Sequence, residues 1–200
     1  MQLLAFIMKV QLIAAVGNPG AEYKDTLHNA GVWLVERFAA SRGATFRPEK
    51  KFQGRVAEVG GLKLFIPDTF MNHSGRAIAP LIRYYRIAPE AVIIAHDELD
   101  LPVGTVRFKQ GGGLAGHNGL RSITAELGGD QSYNRIRIGV GHPGDKEQVT
   151  GHLLRRSTAG DRLLIEERIE WALAALPLAL DGDWQKAMSE LHTRRAEGEP

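Results

Sequence analysis

Hydrophobic positions along the chain fall into short blocks that switch between the periods of strands and helices. Val10–Val16, apolar except at Gln11, reads as a buried strand ending at Gly17-Asn18-Pro19-Gly20, where Pro and Gly fix a tight change of direction. A helix is predicted from about Asn29 to Ala40, with Ala30, Leu34 and Phe38 on one face beside Gly31 and Val35; Gly43 ends it. Gln53–Val59 and Leu62–Ile66 flank Gly60-Gly61, the pattern of a two-residue hairpin. After TFMNHSG come a helix over roughly Arg76–Arg86 and an apolar strand, Ala91–Ala95, that runs into His96-Asp97-Glu98. The remainder predicts a strand at 104–109, a glycine loop, a short helix at 118–127 and a strand at 134–140. Two C-terminal helices follow, about 160–176 and 183–194, separated at Pro177.

Alternating strands and helices point to an α/β fold, and the Gly60-Gly61 hairpin inserts an antiparallel pair into it. The expected architecture is a single α/β domain with a mixed, parallel and antiparallel, twisted sheet flanked by helices on both faces. It spans 8–195, with 1–7 as an N-terminal extension, 196–200 as a C-terminal tail, and Met8 as an alternative start. Sites in such sheets gather at strand ends. The candidate ends are Asn18, the segment after Ile66, Asp97 and the glycine loop.

Composition narrows the classes. At 200 residues and 44% apolar, the chain is long enough for one sizeable core, and no long polar tract divides it. The absence of cysteine excludes disulfides, thiolate zinc sites and a cysteine nucleophile, and fits a reducing compartment. The apolar start MQLLAFIMKVQLIAAVG is interrupted by Lys9 and lacks both a basic leader and the length of a spanning helix, so neither signal peptide nor membrane anchor is expected. A net charge of +2 does not announce a nucleic-acid partner, but its distribution says more. Residues 101–140 carry Arg107, Lys109, Arg121, Arg135 and Arg137 against Glu126 and Asp130, while the stretch after Asp161 is acidic. One face built for an anion is expected.

The glycine loop GGGLAGHNG satisfies G-x-G-x-x-G at Gly111, Gly113 and Gly116, between a strand and a helix, so a dinucleotide cradle must be weighed. The preceding strand argues against it, because Val106-Arg107-Phe108-Lys109 alternates where a central parallel strand is apolar on both faces. His117-Asn118 also stands where a phosphate-binding loop would have Lys-Ser/Thr. Side chains two apart on a strand share a face, so Arg107 with Lys109, and Arg135 with Arg137, each present paired cations suited to phosphate oxygens. Val106, Phe108, Ile136, Ile138 and Val140 then face inward.

His28 sits at the start of the first helix, where the dipole disfavours imidazolium and leaves a neutral ring able to accept a proton. Asp97, at the mouth of an apolar strand, is the best candidate to orient it, although sequence does not place the two side by side. Asn18, Asn72 and Asn118 lie in turns or at element ends, where an amide either caps the backbone or supplies a neutral donor to an oxyanion. No H-E-x-x-H or H-x-H spacing favours a metal, and no G-x-S-x-G elbow favours a serine hydrolase. Water is the expected nucleophile of any hydrolysis.

Four stretches, GNPGAEYKDTLHNAG, TFMNHSG, HDELDLPVGTVRFKQGGGLAGHNGLRS and NRIRIGVGHPGD, resemble the bacterial peptidyl-tRNA hydrolase family in order and spacing. The resemblance implies an esterase acting on peptidyl-tRNA, with His28 as general base, Asp97 orienting it, and Asn18 and Asn72 holding the catalytic site and the substrate carbonyl. Asn118 would bind the peptide main chain or the attacking water. Tyr23, Met71 and His117 would line the cleft. Lys109 and Arg137 would clamp the tRNA phosphate end, with Arg107 and Arg135 as weaker candidates. It further implies a monomeric, cytoplasmic enzyme without metal or organic cofactor, whose glycines form a movable gate at the peptide cleft. The chain departs from the family pattern at His73, where Leu is commoner, at Ala115, where a second Gly is commoner, and at the bulky Leu114; catalysis is expected to survive. The rival readings are a non-catalytic RNA-binding domain, which would leave base, carboxylate and amides idle, and a nucleotide-dependent oxidoreductase.

Overall fold

The computed structural model describes residues 9–198; the expected extension 1–7 lies outside them, as do 199 and 200 of the expected tail. Seven strands form one sheet in the order β2-β3-β4-β1-β5-β7-β6. They are β1 (Leu12–Ala15), β2 (Arg47–Glu49), β3 (Gly54–Val59), β4 (Leu62–Pro67), β5 (Val92–Glu98), β6 (Val106–Gln110) and β7 (Asn134–Gly139). The centre is parallel, with β1 between β4 and β5 and β7 beside β5. The hairpin β3–β4, the short β2 and the edge strand β6 pair antiparallel. The mixed sheet is therefore as expected. β2 went unseen in the sequence because three residues with a proline, Arg47-Pro48-Glu49, carry no readable period.

Helices cover both faces. On one side α1 (Ala30–Ser41), α5 (Ala159–Leu180) and α6 (Trp184–Gly198) pack on Ile13, Ala15, Ile93, Ala95, Ile136 and Ile138. On the other, α2 (Ser74–Tyr85) and α3 (Asn118–Glu126) pack on Leu12, Ala14, Phe65 and Ile94. Val106, Phe108, Ile136, Ile138 and Val140 are all buried, as strand alternation requires. A six-residue helix, α4 (Val149–Leu154), is too short to show a helical period and was not anticipated. Pro177 does not separate the C-terminal helices. α5 runs through it to Leu180, anchored by the fully buried Leu176 and Ala179, and the break falls at Gly182, whose φ is 89°. One missing N–H is tolerated where the next turn is held in the core.

Gly31 sets the distance between α1 and the sheet. A Cβ there would lie 2.2 Å from the Ala95 carbonyl oxygen and 3.1 Å from the His96 Cα, so only glycine lets α1 sit this low over β5. Gly31→Ala should lower stability by about 2 kcal/mol or more, as overpacking does. The urea midpoint checks this; an unchanged midpoint would contradict the contact.

Candidate active site

The parallel strands β1, β4 and β5 end on the same sheet edge, and their extensions open into one cleft. A cavity of about 330 Å³ is lined by Asn18 after β1, Met71 and Asn72 after β4, Asp97 at the end of β5, His28 before α1, and His117 and Asn118 at the start of α3. Ala115 and Gly116 form one wall, and Val149, Leu153 and Leu154 of α4 form an apolar one. Seven of the expected site residues thus meet. Tyr23 stays outside the lining and packs edge-on against Phe70, with ring centroids 6.3 Å apart.

Asp97 is the centre. It is 1% exposed, and it accepts from Nδ1 of His28 at 2.9–3.0 Å and from Nε2 of His117 at 3.0 Å. Burial alone would raise its pKa, but the charges and hydrogen bonds of the two imidazoles hold it far below the usual carboxylate range. Burial likewise opposes protonation of His28, yet the Asp97 charge and hydrogen bond prevail and its pKa is raised. This corrects the expectation from the helix dipole. His28 lies in a 3-10 turn, Leu27–Asn29, before α1, and a buried carboxylate in contact outweighs a partial charge one turn away. With Nδ1 donating to Asp97, the basic nitrogen of neutral His28 is Nε2.

His117 does more than line the cleft. Its Nδ1 accepts from the Leu120 amide at 3.3 Å, capping α3, so the proton of neutral His117 sits on Nε2 and is donated to Asp97. Beneath it lies His96, fully buried, with ring centroids 5.0 Å apart and its Nδ1 bonded to the Asp97 carbonyl at 2.7 Å. Burial, then the neighbouring His117, push His96 down to about 3.

A ring nitrogen of His28, an Asp97 oxygen and a ring nitrogen of His117 lie within 4.8 Å of one another, the set from which a divalent ion could be held. Sequence spacing could not show this, because the three come from separate elements. The donor chemistry fits an ion poorly: the α3 cap leaves a proton, not a lone pair, on the His117 nitrogen that faces Asp97.

The amides are held for use. Oδ1 of Asn18 accepts from the Met71 amide at 2.8 Å, which leaves its NH2 as a donor on a cleft-lining residue. Asn29 fixes Asn18 by accepting from its amide at 2.8 Å and donating to its carbonyl at 3.0 Å. Sequence reasoning passed over Asn29, whose burial and hold on Asn18 only the fold reveals.

The basic strands meet as cross-strand pairs, Arg107 beside Arg137 and Lys109 beside Arg135. Their exposure differs from expectation. Arg137 is tied through Nε to Glu98 at 2.9 Å, and that glutamate, also passed over, itself lines the cleft. Arg135 is not on a solvated face. It is 1% exposed, and its guanidinium donates to the carbonyls of Gly111, Gly112 and Gly113. Period 2 gives a side chain's face but not what covers it, and here the glycine loop folds over β7. Burial and the like charges of Arg135 and Arg137 lower the Lys109 pKa. In the loop, Ala115 takes a left-handed φ of 47°, at a cost of about 1 kcal/mol, and Leu114 packs on the core under α2 and α3.

A family model described as peptidyl-tRNA hydrolase matches residues 12–199. The chain is 48% identical over 191 residues to peptidyl-tRNA hydrolase of Azotobacter vinelandii, covering 94% of this chain and 98% of that one. The enzyme of that name from Pseudomonas aeruginosa is 46% identical over the same shares. The crystal structure of peptidyl-tRNA hydrolase from Acinetobacter baumannii superposes with a TM-score of 0.88 at 42% identity, over 92% of this chain and 95% of that chain.

Since Asp97 raises the His28 pKa against an opposing burial, Asp97→Asn should bring the His28 titration from above the ordinary imidazole value to below it. Titration followed by NMR of the ring protons reads the change. A midpoint that stays put would remove Asp97 as the cause.

Proposed function

The chain belongs to the peptidyl-tRNA hydrolase family, and we propose that it cleaves the ester joining a peptide, or an N-blocked amino acid, to the 3′ end of tRNA, with water as nucleophile and His28 as base. The observation that carries this reading is the His28–Asp97 pair at 2.9 Å, set in a cleft with three asparagine amides. His28 Nε2 takes a proton from water as the oxygen attacks the ester carbonyl, and Asp97 stabilises the imidazolium that forms. Charge develops on the carbonyl oxygen, where the Asn18 NH2 and Asn72 serve as neutral donors. The intermediate collapses when the C–O bond to the tRNA ribose breaks and the imidazolium returns its proton to the leaving oxygen. The products are a peptide acid and free tRNA.

Asn118, on the inner edge of the loop, binds the peptide main chain or the attacking water, with Met71 beside it. The apolar side chains of α4 suit the peptide, while Tyr23, packed on Phe70, takes no part in the lining. Lys109 and Arg137 hold tRNA phosphate, with Arg107 near them; Arg135, engaged with loop carbonyls, is left out of this clamp. No metal takes part, because the tautomer that the α3 cap imposes on His117 supports a proton-bridged cluster. The enzyme works as a monomer in the cytoplasm, a reading supported by a cleft complete within one chain; among the described residues no helix is long and apolar enough to cross a membrane.

His28→Ala should cut release of an N-blocked amino acid from its tRNA on the order of 10²–10⁴-fold while tRNA affinity stays nearly constant, and wild type should spare the unblocked aminoacyl-tRNA. The assay is run with a chelator present; a rate lost there and restored by Zn²⁺ would turn the cluster into a metal centre, and full activity of the variant would end the mechanism. Replacing Lys109 and Arg137 by Ala should weaken tRNA binding and flatten its dependence on log salt by about one unit per side chain. An unchanged slope would take both out of the phosphate site.

A further inference from the structure

Arg135 is a buried cation that the reaction above does not use. Among the described residues its guanidinium meets no carboxylate; its Nη1 donates to the Gly113 carbonyl at 2.7 Å, and its Nη2 to those of Gly112, at 2.8 Å, and Gly111. Its Nε, also buried, has no hydrogen-bond partner among the described residues. Three successive carbonyls turn toward one guanidinium because Gly111 and Gly112 take left-handed φ values of 53° and 86°. A Cβ on Gly112 would come within 3.3 Å of the Lys109 Cε and 3.5 Å of the Arg135 Nη2, so loop and cation fit closely. A buried charge left without these acceptors would be costly, which makes the loop conformation and the seating of Arg135 mutually dependent.

The held end connects to the cleft through few bonds. One residue after Gly113, a turn begins at Leu114 and closes where the His117 amide donates to the Leu114 carbonyl at 2.9 Å. His117 then caps α3 and donates to Asp97 at 3.0 Å, with Asn118 next in the chain. No long flexible stretch intervenes between Arg135's acceptors and Asp97's second donor.

We propose that Arg135 is a positioning residue: its guanidinium clasps Gly111–Gly113 and thereby sets His117 on Asp97 and Asn118 at the cleft edge. The kinetic part rests on the hydrolase reading given above; the clasp itself does not. Arg135 should then act on turnover, in contrast to Lys109, which should act on KM.

The test uses the full chain with Arg135→Met and Arg135→Lys. Lysine keeps the charge but lacks the planar fork that reaches three carbonyls, so it carries the test if the methionine variant does not fold. On N-acyl-aminoacyl-tRNA, kcat should fall on the order of 10–100-fold for Met, as for a misplaced catalytic group, and less for Lys, with KM nearly unchanged. In parallel, the His117 Nε2–H resonance in the NMR spectrum, which needs no substrate, should be present in wild type and lost or rapidly exchanging in both variants, at melting temperatures near that of wild type. A His117 resonance intact in the variants overturns the clasp, whatever the kinetics show. Loss of that resonance with kcat unchanged overturns its role in turnover, and a wild type that releases no product sinks the hydrolase reading while the resonance still decides the clasp.

Discussion

A fully buried carboxylate organises this molecule. Asp97 is the penultimate residue of a strand buried along its whole length, so its charge has little water to rely on and must be met by donors from the protein. Two imidazoles supply them, one from the turn before α1 and one from the start of α3, elements that pack on opposite faces of the sheet. The requirement therefore locks both layers to the end of β5. Gly31 allows α1 to come down onto the Ala95 carbonyl, and without that approach His28 would stand off from Asp97. Removing either imidazole would leave the carboxylate half-satisfied in a medium that penalises it.

The next residue extends the arrangement to the other face. Neighbours on a strand point to opposite sides, so Glu98 faces β7, where it pairs with Arg137, while Asp97 faces α1. One strand end thus organises His28 on one side and Arg137 on the other. The positive edge is consequently less free than its composition suggests. Arg137 is partly neutralised and Arg135 is spent on loop carbonyls, and Lys109 is held beside both.

Much of this was legible in the sequence where period and chemistry agreed. The alternation in VRFK and NRIRIG placed Val106, Phe108, Ile136 and Ile138 in the core, and the hairpin at Gly60-Gly61 announced the antiparallel part of the sheet. Strand ends marked Asn18, Asn72 and Asp97 as cleft residues. What stayed hidden depends on tertiary cover. Period 2 put Arg135 on the correct face but could not say that a loop lies over it. The dipole argument for His28 was local, and a carboxylate 69 residues away in sequence reversed it. Pro177 breaks an isolated helix but not one whose next turn is buried. Asn29 and Glu98 were missed because each acts by holding another site residue, and such roles leave no mark in spacing.

Three histidines crowd around Asp97, and a cluster of that kind can scatter a proton among several sites. Here the alternatives are closed by different means. His96 is buried beneath His117 and resists protonation down to about 3, so it behaves as a neutral wall. His117 is committed at both nitrogens, accepting from the Leu120 amide and donating to Asp97. Asp97 is held ionised by its two donors and does not compete as a proton acceptor. His28 alone among them combines a stabilised protonated form with a ring nitrogen not used in the Asp97 bond and a place on the cleft wall. The hydrogen bonds of the cluster therefore leave His28 Nε2, on the cleft wall, outside the bonds that fix Asp97.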